Sequence, residues 1–260
     1  MRTIICCTVL LAALPMHALA QADLAGTDRF PQFRNLSGLG CGGYGLDAQG
    51  FASLSGPTAF STPVAYVLGH DQFRIQYASI SHNMSANVTW GKSNNKLVGV
   101  YGHTFGPVNV AVSDIVLSRV YDQAFNIQAE LIPQRHSRYA VSAGIQDIGG
   151  GGGSSGTGVP GDDHNSRSFF GVVTYRATEG FHPVYLSAGI GSRRFRNGFV
   201  NTSVQIASPV RLWTEWDGFG LNYGALLTYQ QHYNGRIVEL DFIAAVVDSR
   251  YMTLGFGFGF

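Results

Sequence analysis

The sequence predicts an all-β protein: a transmembrane antiparallel up-and-down β-barrel of about fourteen strands, with twelve as the alternative count. Three observations predict it. The last ten residues alternate aromatic and small side chains, the first twenty read as an export signal, and between them apolar–polar alternation recurs without a long apolar helix.

The closing stretch carries the most information. Met252, Leu254, Phe256, Phe258 and Phe260 share one face of an extended strand, and Tyr251, Thr253, Gly255, Gly257 and Gly259 share the other. A helix would scatter those phenylalanines around its axis, whereas a strand aligns them at period two. A row of aromatics facing water would invite aggregation, but lipid on one side and a crowded lumen on the other suit the pattern. A final strand ending on Phe resembles those read by the outer-membrane barrel-assembly machinery, which makes that machinery and outer-membrane lipid the expected partners.

Residues 1–20 hold one basic residue, Arg2, an apolar run from Ile4 to Leu14 and the small-x-small sequence Ala18-Leu19-Ala20. This is the pattern of a secretory signal peptide, so the mature chain is expected to begin at Gln21 and to reside in a Gram-negative-type outer membrane. The run is too short to span a bilayer comfortably, and no later stretch approaches the roughly 18 apolar residues a membrane helix requires. Cys6 and Cys7 would leave with the signal. Cys41 then stands alone, without the partner a disulfide needs.

Charged residues make up only 13% of the chain and the net charge is +1, a balance that speaks against nucleic acid as a partner. The 34 glycines and 12% aromatic residues suit a barrel, in which every second residue faces away from lipid.

Residues 21–62 show no sustained periodicity and read as a periplasmic or lumen-inserted lead-in. Their glycines (Gly38, Gly40, Gly42, Gly43 and Gly45) lack the Lys-Ser/Thr of a phosphate loop. From Pro63 onward alternating runs recur, and residues 63–260 are expected to form the barrel. Phe125, Ile127, Ala129 and Leu131 oppose Asn126, Gln128 and Glu130, and Val238, Leu240, Phe242, Ala244 and Val246 oppose Glu239 and Asp241. Backbone in lipid must satisfy its own hydrogen bonds, so consecutive strands of this kind should close on themselves. Counted back from Phe260, strands are expected near 250–260, 236–247, 220–230, 210–217, 200–207, 184–193, 168–177, 139–148, 125–132, 108–117, 97–105, 85–90, 73–80 and 63–69. With the C-terminus in the periplasm, the Gly-rich connection after Gly149 is extracellular and Ser208-Pro209 is a short periplasmic turn.

Charges in a barrel wall are expensive toward lipid and tolerated toward the lumen. Parity places Arg211, Glu215 and Asp217 on one lumen-facing side, with Glu239 and Asp241 on a later strand and Arg74, Glu130, Arg176 and Arg193 on theirs. Two uses are open: a salt-bridge network bracing the wall, or a polar path for a hydrophilic solute with Trp213 and Tyr185 as sugar-stacking surfaces. The candidate ligand-binding set is Arg211, Trp213, Glu215, Asp217, Glu239, Asp241 and Arg193. An enzymatic alternative, a hydrolase or acyltransferase at the outer rim, would rest on Asp162-Asp163-His164 or on His70-Asp71. Neither has a nucleophile or second acid at motif spacing. The eight histidines show no metal-ligand spacing, and neither a metal nor a cofactor is expected.

Several segments resemble the outer-membrane barrel family associated with exopolysaccharide production, the YjbH-like proteins. They are Gly56-Pro57-Thr58-Ala59, Gly144-Ile145-Gln146-Asp147-Ile148-Gly149-Gly150, Ser187-Ala188-Gly189-Ile190-Gly191, and Thr214-Glu215-Trp216-Asp217-Gly218 followed by Asn222-Tyr223-Gly224. The resemblance implies a non-enzymatic pore or assembly component for making or exporting surface polysaccharide. It carries over no catalytic residue. Family members are often longer or lipidated at the N-terminus, and this chain has neither feature.

Overall fold

Alternation along each strand closes the chain into a barrel. The computed structural model describes residues 56–80, 95–117, 122–132, 138–149, 167–178, 182–234, 236–247, 249 and 251–260. The strands are β1 (Gln72–Ile80), β2 (Asn95–Phe105), β3 (Val108–Leu117), β4 (Asp122–Ile132), β5 (Tyr139–Gln146) and β6 (Ser168–Thr178). They continue with β7 (Val184–Gly191), β8 (Phe199–Ala207), β9 (Val210–Trp216), β10 (Leu221–Tyr233), β11 (Arg236–Val247) and β12 (Tyr251–Gly259). Each pairs antiparallel with its sequence neighbours, and β1 pairs with β12 to complete a closed barrel of twelve strands. At the seam Phe73 and Phe260 exchange both backbone hydrogen bonds at 3.0 Å, so no edge remains there for another chain to extend.

Twelve of the fourteen expected strands are present, and the even count is the alternative one. Residues 85–90 lie outside the described residues, and β1 pairs directly with β2, leaving no place between them in the wall. Residues 63–69 are not a strand of the wall but run inside it. The cause is legible in the composition: Val64, Ala65, Tyr66, Val67 and Leu68 are apolar on both parities, and all are buried. A wall strand would show one exposed row. The expected signal peptide, Cys41, most of the expected lead-in, and the loop holding Asp162, Asp163 and His164 also lie outside the described residues.

The outer surface is apolar. Phe256 is 56% exposed, Phe242 54% and Ile190 65%, and such side chains recur around the barrel. This is the surface of a barrel that faces hydrocarbon. Three register shifts, at Glu130/Ile132, Arg176/Thr178 and Gln205/Ala207, fall toward the rim where the C-terminus lies. Bulges at a barrel rim bend the strands and tighten their twist.

The inward face packs against residues 56–69. Ala65, Tyr66, Val67 and Leu68 join Val98, Val100, Ala111, Phe170, Val172, Tyr185, Phe195 and Phe199 in one cluster. Phe60 joins Trp213, Leu226 and Ile243 in another. Gly102 on β2 shows how tightly the inner segment sits: a Cβ there would collide with the Leu68 carbonyl group.

A candidate functional site inside the barrel

The inner segment is held along its length by polar side chains of the wall. Near the C-terminal rim, Asn109 Nδ2 donates to the Val67 carbonyl (3.4 Å) and to Glu130 Oε2 (3.0 Å). Further in, the Ala65 N–H donates to Thr174 Oγ1 (2.8 Å), and Gln128 Nε2 donates to the Val64 carbonyl (2.7 Å). Tyr66 meets Tyr185 edge-on, with ring centroids 5.8 Å apart. The chain then reaches the far end of β9 and turns, so that the Thr58 N–H donates back to Ser203 Oγ at 3.1 Å.

Glu215 holds that turn. Its carboxylate accepts the backbone N–H groups of Phe60 (3.0 Å), Ser61 (2.8 Å) and Thr62 (3.3 Å). It also accepts the hydroxyls of Ser61 and Thr62, both at 2.8 Å, and the Asn222 amide at 3.0 Å. Successive N–H groups converging on one anion form a nest, an arrangement that takes negative charge without a cation beside it. Asn201 Nδ2 donates to Thr62 Oγ1 (2.9 Å) and Asn222 Nδ2 to Ser61 Oγ (3.0 Å). Phe60 lies flat on Trp213, with centroids 5.7 Å apart and planes within 5°.

Two further groups of buried charges line the lumen. Arg74 on β1 bonds both Glu239 and Asp241 on β11, reaching across the inner face of β12. In register, Gly259 lies between Arg74 and Glu239, and Gly257 between Gln76 and Asp241. The glycines that alternate with phenylalanine therefore clear a path for the guanidinium. Thr228 Oγ1 donates to Asp241 (2.8 Å) and Gln230 Nε2 to Glu239 (3.0 Å), and Arg211 adds a second positive charge near both carboxylates. At the far rim Arg194 lies between the rings of Phe195 and Phe219, 5.4 and 5.2 Å from their centroids. Its Nη1 donates to the Asp217 carbonyl at 2.5 Å, and its Nη2 is 3.5 Å from Asp217 Oδ2.

Of the candidate residues, Arg211, Trp213, Glu215, Asp217, Glu239 and Asp241 are all buried toward the lumen. Arg193 is not on a lumen face. β7 ends at Gly191, and Arg193 opens a short 3-10 turn with φ +48°, which breaks the strand parity and sends Arg194 inward instead. Arg176 is only half-buried, at the bulge of β6. Sequence reading missed Asn201, Asn222, Ser61 and Thr62. The signal for the two asparagines was available, since both oppose apolar residues on alternating strands. At the C-terminal rim Asp71 accepts Tyr101 Oη (2.6 Å) and contacts His103 Nδ1 (2.5 Å). These bonds, the tyrosine's foremost, hold the Asp71 carboxyl below its ordinary value of 3.8. Among the described residues, no group of three or more His, Cys, Asp or Glu is placed to hold a metal ion.

No protein-family model matches the chain, and no curated protein matches it in sequence. Solved structures do. The KdgM porin in complex with disordered oligogalacturonate superposes with TM-score 0.52 at 10% identity, covering 73% of this chain and 98% of that one. The Acinetobacter baumannii outer membrane protein Omp33 gives 0.44 at 11% identity, covering 73% and 97%. A Rhodopseudomonas blastica porin triple mutant gives 0.33 at 15% identity, covering 64% of this chain and 54% of that one. At such identities the KdgM likeness speaks for the barrel fold.

Proposed function

We propose that this protein is a non-enzymatic outer-membrane pore whose passage is shut in the resting state by residues 56–69 of its own chain, and that it serves export or assembly of an exopolysaccharide. The carrying observation is the Glu215 nest, which fixes the inner segment across the lumen. A wall braced only for strength would need salt bridges between strands. This wall also commits one carboxylate to five donor contacts from a segment that blocks the passage.

The exterior apolar surface supports residence in a bilayer, and the Phe260 strand suits delivery by the barrel-assembly machinery. The link to polysaccharide rests on the family resemblance and on the complex that the KdgM porin forms with oligogalacturonate. In this orientation the C-terminal rim is periplasmic, Ser208-Pro209 is a periplasmic turn, and Glu215 holds the segment toward the extracellular side.

Planar-bilayer conductance tests the reading. The intact protein should show few or no open steps, and a variant lacking residues 21–69, which removes the whole inner segment, should conduct in discrete steps. Silence in both would contradict a pore. Equal conductance in both would contradict the internal closure.

A further inference from the structure

We propose that the lumen wall around Trp213 is a binding site for a neutral saccharide, and that Phe60, Ser61 and Thr62 occupy it as an internal stand-in. This deepens the pore reading and rests on it. Three features of the inner segment and its surroundings point to a sugar.

The first is the platform. Phe60 is parallel to the Trp213 indole within 5°, buried, and on the lumen side. With centroids 5.7 Å apart the parallel rings are offset, which leaves part of the indole face beyond the phenyl ring. A flat, broad indole face is also the surface on which the apolar face of a hexose ring lies.

The second is the hydroxyl pattern. Ser61 Oγ donates to Glu215 Oε1 and accepts from Asn222 Nδ2. Thr62 Oγ1 donates to Glu215 Oε2 and accepts from Asn201 Nδ2. Two neighbouring hydroxyls thus bridge one carboxylate, and each takes an amide proton in return. Vicinal hydroxyls of a sugar ring, each both donor and acceptor, make the same demands.

The third is what the stand-in leaves unmet. Trp213 Nε1 and Asn201 Oδ1 are buried and have no hydrogen-bond partner among the described residues. Buried polar groups are normally paired. A peptide presents only two hydroxyls here, whereas a sugar presents more and can reach both atoms. Glu215 and Asp217 at the same level select a neutral ring over a uronate, because an added carboxylate would meet like charge.

The pore closes because its own segment competes with the polymer, and polymer arriving at the wall displaces it. The test uses purified full-length protein in detergent and its tryptophan fluorescence. The probes are an α-1,4-linked glucose hexasaccharide, a β-1,4-linked glucose hexasaccharide and trigalacturonate. A Phe60→Ala/Ser61→Ala/Thr62→Ala variant removes the ring and both hydroxyls of the competitor, keeps its backbone N–H groups and leaves the wall intact. It should bind a neutral hexasaccharide at least about tenfold more tightly than the unaltered protein, since occupancy of the closed state reduces apparent affinity. Adding Asn222→Ala should abolish the gain. The variant lacking residues 21–69 provides the same comparison independently of how the triple variant assembles. Equal affinity with and without the competitor would overturn the stand-in, and tighter binding of trigalacturonate would overturn the neutral class. No binding of either glucan by deletion protein that conducts would overturn the site while leaving the pore standing. No conductance by deletion protein would instead count against the pore.

Discussion

Glu215 lies buried inside the barrel, and the structure meets its carboxylate with neutral donors drawn largely from the inner segment. Hydrogen bonds to a charged group contribute about 1.5–3 kcal/mol each, and an unsatisfied buried N–H costs about 1–3 kcal/mol. Glu215→Ala leaves three such N–H groups without their acceptor, so the segment's hold should weaken by about 2–4 kcal/mol. The expected outcome is an open-state fraction in single-channel records at least about thirtyfold higher. Glu215→Gln, which keeps one acceptor oxygen, should fall between. At the opposite rim the exposed Asp71 carboxyl should titrate below 3.8, and Tyr101→Phe should move it back toward that value. By linkage, the turn's contribution is present above the ordinary carboxylate range and is lost as pH falls through the depressed value. Resonances of Asp71 followed through an acid titration would show the shift.

Among the elements, β12 shows how one pattern serves two surfaces. Its phenylalanines face outward, and its glycines let Arg74 pass from β1 to Glu239 and Asp241 on β11, tying the two neighbours of the closing strand together. Removing one partner of a buried ion pair costs about 3–5 kcal/mol, because the other charge is left uncompensated. Arg74→Ala should lower the urea midpoint of unfolding accordingly. Gly259→Leu should do so as well, since a Cβ there already lies 3.6 Å from Arg74 Cγ. On the other face, Phe256→Arg should cost about 2–4 kcal/mol if its position lies at the bilayer midplane. The outward rows and most strand limits were legible in the sequence because alternation at period two is local. The glycines' role was not, because it depends on which strands lie on either side. Arg193 failed for a related reason: parity was extended past Gly191, where a turn had already ended the strand.

For the whole molecule, the decisive departure from sequence expectation is the fate of residues 63–69. Their apolar run suited a strand by composition, but it lacks the polar row that a wall facing a polar lumen requires. Continuous burial on every side is what that composition encodes, and only the closed barrel reveals that the enclosing surface is the wall itself. The inward carboxylates were readable as lumen groups, while the segment they hold was not, because its contacts span more than 150 positions of sequence. The central claim, that the chain closes its own lumen, is tested most directly by a disulfide between the segment and the wall. The Ala65 N–H lies 2.8 Å from Thr174 Oγ1, which brings the two residues within reach of a disulfide, whose Cα atoms sit about 4.4–6.8 Å apart. In a chain with Cys41→Ser, the pair Ala65→Cys and Thr174→Cys should crosslink on oxidation in native membranes and leave the pore silent. Absence of the crosslink, with both cysteines open to a water-soluble maleimide, would contradict the account.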